Sequence, residues 1–271
     1  MSGYRVDAVI IKSQPLGEAD RLVTSYTRQR GRHRAVARGA RRSRSRLGAC
    51  LQPFVHAQLY CWKGRSLDGI SQCAVQDGFA AVRESLSGAA AAAYMCELVD
   101  GLTQEADPDP HVFDLFLMGL HTLNETVAHQ GGEVPVAWPQ DGPLERLLLA
   151  FQWKLLTLKG FGPSFDRCAA CGRRPQGGAL PAKVHFSPGE GGLLCRPCRG
   201  AGNGTLYPAR RDAVTAIDTL IRQPLTAAVG LAVPPGAVKD LFSLSHTYLT
   251  WVLERPLQST AFLEVLGTGA K

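Results

Sequence analysis

No run of roughly 18–20 uncharged apolar residues occurs in the 271-residue chain, so no membrane-spanning helix is expected. No apolar stretch follows Met1 to Asp7, so no secretory signal is expected and the expected location is the cytoplasm. The Asn124-Glu-Thr126 sequon then carries no meaning, because glycosylation needs secretion. Enzyme signatures are missing as well. There is no phosphate loop of the G-x4-G-K-[ST] type, no G-x-G-x-x-G after a strand, no G-x-S-x-G elbow and no H-E-x-x-H pair. The seven His are dispersed and assemble no triad. Glu18 and Asp20, with Asp68 further on, fall short of the convergent carboxylates of a metal nuclease; beside Arg21 they read as a turn with a local salt bridge. Internal repeats are absent. These absences favour a binding protein with no catalytic residues.

Charge is what the chain does have, and it is uneven. Net charge is +7. Residues 1–79 hold fourteen Lys and Arg against five acids, an excess of nine, and the rest is slightly acidic. A basic excess confined to the first third points to a polyanionic partner, nucleic acid before membrane.

The same first third reads as strands over Tyr4–Lys12, Arg21–Thr27, Arg32–Arg38, Pro53–Trp62 and Ser66–Val75, separated by Gly-containing turns. Five short strands suit a small barrel. An OB-fold leads because it is five-stranded and binds oligonucleotides, and an SH3-like barrel fits the same count. From Phe79 the pattern becomes helical: Ala80–Glu105, His111–His129, Pro143–Lys159, Pro208–Arg222 and Pro235–Leu253, with a loop over Gly131–Gly142. The expected architecture is therefore α+β and multidomain. Residues 1–79 form an OB-fold β-barrel that binds nucleic acid. Residues 80–271 form an all-α domain with a zinc-ribbon-like four-cysteine insert at about 163–206.

Four of the eight cysteines form two tight pairs, Cys168/Cys171 and Cys195/Cys198, separated by 23 residues. A two-residue gap lets both thiolates of a knuckle reach one ion, and two knuckles complete a tetrahedral set. The expected cofactor is one structural Zn2+. Disulfides and idle thiols are the alternatives, and a reducing cytosol argues against the first. Four sulfur ligands leave no open position for catalysis. His185 lies between the knuckles and could replace a Cys. Cys50, Cys61, Cys73 and Cys96 are scattered and read as buried small hydrophobes.

Arg28 to Arg46 contains nine arginines and no acid: Arg28, Arg30, Arg32, Arg34, Arg38, Arg41, Arg42, Arg44 and Arg46. The first four alternate, which on a strand would put them on one face. Guanidinium forks match phosphate oxygens, and nine uncompensated charges repel one another without a polyanion. A solvated charged face is the simpler alternative. Few aromatics accompany the run, so sequence-tolerant backbone binding is expected rather than base readout.

The segments Gly17 to Thr24 (GEADRLVT), Tyr26 to Arg28, Gly31-Arg32, Ala35 to Arg42 (AVARGARR), Ser45 to Leu47 and Leu51 to Phe54 (LQPF) closely resemble the N-terminal signature of the RecO family of bacterial DNA repair proteins. Gly160-Phe-Gly-Pro163 and the cysteine pairs resemble the zinc region of many members. The resemblance implies an OB-fold and a helical domain with a zinc insert. It implies binding of single- and double-stranded DNA and annealing of complementary strands without ATP. It also implies work with RecR, in some lineages with RecF, helping RecA displace single-strand-binding protein (SSB), and contact with the SSB C-terminal tail. Some relatives lack the cysteines, so the resemblance makes zinc structural. Thr268–Lys271 and the Arg-heavy stretch depart from the pattern. A zinc-ribbon RNA-binding, transcription or translation factor is the competing class, and a nuclease or deaminase a more distant one.

Overall fold

The structure, a computed structural model, describes residues 3–132, 134–136, 138–175, 179–200 and 204–268. Parts of the Gly131–Gly142 loop, the cysteine insert and the Thr268–Lys271 tail therefore lie outside the described residues.

Alternation of apolar side chains builds five strands in the first third: β1 (Gly3–Leu16), β2 (Asp20–Thr27), β3 (Gly31–Ala37), β4 (His56–Trp62) and β5 (Asp68–Asp77). They close a barrel in the order β1-β2-β3-β5-β4, with β4 pairing back onto β1. The β3–β5 pairing is parallel and short, through Ala35–Asp68 and Val36–Gly69. This closure is OB-like and sets aside the SH3-like alternative. Val6, Ala8, Ile10, Val23, Leu59 and Ile70 fill the interior, with the small Ala35, Ala37 and Ala57 keeping it narrow. Burying each of the larger alkyl chains contributes about 1.5–3 kcal/mol. Helix α1 (Leu47–Cys50), not anticipated from periodicity, packs Leu47 and Cys50 against this core.

The expected helix Ala80–Glu105 is broken in two, α2 (Ala80–Glu84) and α3 (Leu86–Leu102). Ser85 leaves helical geometry at φ −106° and ψ 131°, and its side chain accepts the Gly88 amide, capping α3. Helix α4 (Pro110–His129) begins where expected, with the Asp109 carboxylate accepting amides of the first turn. The chain divides into two compact units, Met1–Val134 and Pro135–Lys271. The barrel and α2 to α4 thus share the first unit.

The second unit contains α5 (Pro143–Leu156), continued by a π-helical turn (Thr157–Phe161), then α6 (Arg211–Arg222), α7 (Leu225–Ala228), α8 (Pro235–Leu253) and α9 (Gln258–Thr268). Trp153 anchors its core, stacked 5.5 Å from Tyr248 and donating to Ser245 Oγ at 2.8 Å. Between α5 and α6 lies a small sheet of β6 (Lys183–Ser187), β7 (Gly192–Leu193) and β8 (Tyr207–Arg210), in the order β7-β6-β8. Strand β8 takes the residues expected to begin helix Pro208–Arg222, because Pro208 and Ala209 pair with His185 and Val184.

A candidate nucleic-acid interface and a four-cysteine cluster

Of the four alternating arginines, only Arg32 and Arg34 lie on a strand. Arg28 and Arg30 lie in the turn between β2 and β3, not on a strand as their alternation suggests. Gly31 leaves that turn at φ +63°, and a Cβ there would sit 2.1 Å from the Asp107 carbonyl oxygen, so only glycine fits. Arg28 pairs with Asp114, and its guanidinium lies 4.8 Å from the Phe113 ring centre. Arg32, on the outer side of β3, donates to the Asp100 carbonyl at 2.7 Å and lies 3.2 Å from its carboxylate. Arg41 donates to the Gly17 carbonyl at 2.7 Å. These three arginines tie secondary-structure elements of the first unit together.

Arg34, Arg38, Arg42, Arg44 and Arg46 are exposed and form no ion pair among the described residues. Arg38 lies 5.5 Å from the Trp62 ring centre, and Arg30 lies 3.9 Å from that of Tyr4. Arg30, Arg32 and Arg34 line an open cavity of about 620 Å³ together with Arg5 and Tyr4. Neither Arg5 nor Tyr4 stands out in the sequence, since both belong to an ordinary strand pattern. The side of this cavity is a hydrogen-bonded cluster. Tyr4 donates to Asp68, and His33 Nε2 is 2.9 Å from the Tyr4 oxygen and 3.4 Å from Asp68 Oδ2. Burial pushes the Tyr4 phenol up and the His33 imidazole down. Burial alone would raise the Asp68 carboxyl, but bonds from Tyr4, the Gly64 amide and His33 hold it below the usual range. The cavity presents guanidinium donors, which suit phosphate oxygens, around the Tyr4 ring, and the carboxylates of Asp68 and Glu105 also line it.

In the second unit the two knuckles converge. The Sγ atoms of Cys168, Cys171, Cys195 and Cys198 all lie within 4.8 Å of one another. The Cys171 and Cys195 sulfurs are 3.7 Å apart, close to the roughly 3.8 Å edge of a tetrahedron with metal–sulfur bonds near 2.3 Å. Gly172, at φ +72°, donates its amide to the Cys168 carbonyl at 2.8 Å and closes the first knuckle. The second knuckle closes through the Cys198 amide and the Cys195 carbonyl at 3.0 Å. Burial would raise the Cys168 thiol, but amides of Cys195, Cys171 and Ala170 outweigh it and bring it down to about 6. Hydrogen bonds with Cys195 and Cys171 push Cys198 up to about 12. Four thiolates this close cannot all ionise without a cation, and the donor set fits a metal ion. His185, on β6, is not among the clustered ligands.

The remaining cysteines require a correction. Cys61 and Cys96 are buried thiols as expected, but Cys50 and Cys73 are joined in a disulfide. The closure of the barrel places the end of α1 against β5, bringing together two residues 23 apart that sequence spacing alone leaves unrelated.

The family description Recombination protein O N terminal matches residues 1–79, and Recombination protein O C terminal matches residues 83–133 and 137–261. The chain belongs to the RecO family. DNA repair protein RecO of Desulforamulus reducens is 33% identical over 98% of this chain and 96% of its own length. The RecO proteins of Nocardioides sp. and Symbiobacterium thermophilum are 36% and 35% identical, covering 96% and 98% of this chain and 99% and 98% of their own lengths. The likeness thus takes in both the barrel and the cysteine-bearing unit of this RecO-family chain. No described helix is long and apolar enough to cross a membrane.

Proposed function

We propose that this RecO-family protein is a non-enzymatic mediator of DNA repair and homologous recombination, working in the cytoplasm on the nucleoid. The observation that carries the reading is the set of five exposed arginines on an OB-like barrel that form no ion pair among the described residues: Arg34, Arg38, Arg42, Arg44 and Arg46. Annealing brings two polyanions together against their repulsion. A basic surface neutralises phosphates and releases counterions, which lowers that cost without ATP. Arg30, Arg32 and Arg34 with Tyr4 add a concave site where backbone and sugar can seat. In this reading residues 1–79 are the DNA-binding domain and residues 80–271 the helical domain with its insert at about 163–206. All nine arginines from Arg28 to Arg46 supply positive potential. The five free ones touch single- or double-stranded DNA, and Arg28, Arg32 and Arg41 mainly hold the surface in shape.

Cys168, Cys171, Cys195 and Cys198 would hold one Zn2+, which supplies a closed structural cross-link and no catalysis. The proposed partners are RecR, the C-terminal tail of SSB, RecF in some settings, and RecA as the protein whose loading is assisted. The reading is tested by titrating the protein with single-stranded DNA, duplex DNA and RNA of equal length across a salt series. Binding of both DNA forms with a log–log salt slope of about −3 to −4 on single strands, for four to six phosphates, supports it. Preference for RNA over single-stranded DNA would favour a zinc-ribbon RNA factor instead.

A further inference from the structure

The Cys50–Cys73 link stands at the foot of the arginine segment. Arg46 is the residue from which α1 starts, Cys50 is the last residue of α1, and Cys73 lies on β5. The other end of the segment is held by hydrogen bonds. The Gly39 amide donates to the Asp20 carboxylate at 2.8 Å, and the Arg41 amide donates to the Ala19 carbonyl at 2.9 Å. Beyond them the chain bonds only to itself, the Ser45 amide donating to the Arg42 carbonyl at 2.9 Å. A helix of four residues has too few backbone bonds to be stable alone. What keeps α1 on the barrel is the packing of Leu47 and Cys50 and the covalent link to β5. Arg42, Arg44 and Arg46 therefore sit on a stretch whose position depends, at one end, on that link.

The two sulfur-bearing residues differ in access. Cys50 is buried and Cys73 is half-buried, so an external thiolate meets Cys73 first. Their Cα atoms are 6.3 Å apart, within the ordinary span of a disulfide, so the bond can open and close without a backbone rearrangement. Cys61 and Cys96, the other thiols of this unit, are buried. Burial pushes Cys61 up to about 11, so it supplies no competing thiolate. A permanent staple is the competing role. It suits a small secreted domain short of core. This barrel has an apolar core, and its proposed setting is the cytoplasm, where such links are transient or sensing.

We propose that Cys50–Cys73 is a reversible thiol–disulfide exchange site that sets the DNA affinity of the arginine segment. Its reaction partner is a low-molecular-weight thiol. The thiolate attacks Cys73 Sγ and forms a mixed disulfide there, while the Cys50–Cys73 bond breaks and Cys50 leaves as a thiolate that takes a proton from water. A second thiolate attacks the outer sulfur of the mixed disulfide and releases Cys73. The protein disulfide is thus reduced by two electrons to a dithiol, and two small thiols are oxidised to one disulfide. The reverse reaction, with that small disulfide as oxidant, restores the link. Closed, the link fixes α1 on β5 and holds Arg42, Arg44 and Arg46 in place. Open, ordering these side chains on DNA costs more, and binding weakens. The inference rests on the reading that the barrel arginines bind DNA, and it adds a control to that site.

The test uses the full chain, metal loaded, equilibrated in glutathione buffers of graded thiol-to-disulfide ratio. Alkylation followed by mass spectrometry reads the state of Cys50 and Cys73, and metal content is checked in every sample. Binding of a fluorescein-labelled single-stranded oligonucleotide is then titrated at several salt concentrations. The closed form is expected to bind about threefold or more tightly than the open form, and reoxidation should restore that affinity. C50A/C73A is expected to bind like the open form in every buffer. Should that variant fail to fold, C73S, which changes the half-buried partner alone, is measured in its place with the same expectation. Equal affinity and salt slope in closed and open wild type overturn the proposal. So does a link that stays closed at the most reducing ratio, or a pair that stays a dithiol at the most oxidising one. No DNA binding in either state overturns the functional reading beneath it.

Discussion

Arg32 on β3 reaches Asp100 on α3, with Nη1 2.7 Å from the Asp100 carbonyl oxygen and 3.2 Å from its carboxylate. Lys12 on β1 completes the arrangement at 2.6 Å from the other carboxylate oxygen. One acid thus pins two strands of the barrel to a helix. Arg32 is thus a brace between barrel and helix. Arg32→Ala is expected to destabilise the protein by about 1–2 kcal/mol, the scale of a partly exposed charge-assisted bond. Urea unfolding checks this, and a stability equal to wild type would remove the bracing role.

The same acid gives a pH dependence. Burial would raise the Asp100 carboxyl, but Lys12 and Arg32 outweigh it and hold it below its usual value. A depressed folded value means the unfolded chain takes up the proton first. The contribution is present above the unfolded value near 4 and is lost as pH falls through the folded one. Melting temperatures of wild type and Asp100→Asn are therefore expected to converge as pH drops from about 6 towards 3. Parallel curves over that range would show that the carboxylate charge is not what stabilises.

The barrel arginines should separate by role. Replacing Arg34, Arg38 and Arg42 with Ala is expected to weaken DNA binding equally across base sequences. The single-strand salt slope should shrink by about two, at roughly 0.7 per phosphate. Arg28→Ala, which removes the pairing with Asp114, is expected to lower the melting temperature while leaving the slope alone. Titrations at four salt concentrations distinguish the two. A slope lost in the Arg28 variant and kept in the triple one would invert the assignment.

Metal removal should act on folding. One Zn2+ per chain is expected by elemental analysis, none in Cys171→Ser, and a lower melting temperature in the variant. Equal thermal stability of wild type before and after chelation would remove the structural role.

The Cys50–Cys73 link predicts a thiol count. Denatured in chelator without reductant, the chain should show six reactive thiols, matching its six free cysteines. With reductant it should show all eight. Eight under both conditions would mean that the pair stays a dithiol.

Much of this was legible beforehand because its signals are local. Alternation marked the five strands, and the two-residue spacing of each cysteine pair marked a knuckle. The second unit's helices announced themselves by proline starts, as at Pro143 and Pro235. What escaped depends on tertiary approach. Ser85 breaks a helix that composition favours, because its side chain caps the Gly88 amide and Gly88 sits against the Val82 backbone. Arg28 looked like a member of a strand face until the Gly31 turn sent it towards α4. Tyr4, His33 and Asp68 are far apart in sequence, and only barrel closure assembles them.

Annealing of complementary SSB-coated oligonucleotides, without ATP, tests the central claim most directly. Acceleration by wild type that fades with salt, and with loss of Arg34, Arg38 and Arg42, is the predicted result. Tight single-strand binding with no acceleration of annealing would contradict the mediator reading and leave a passive DNA-binding module.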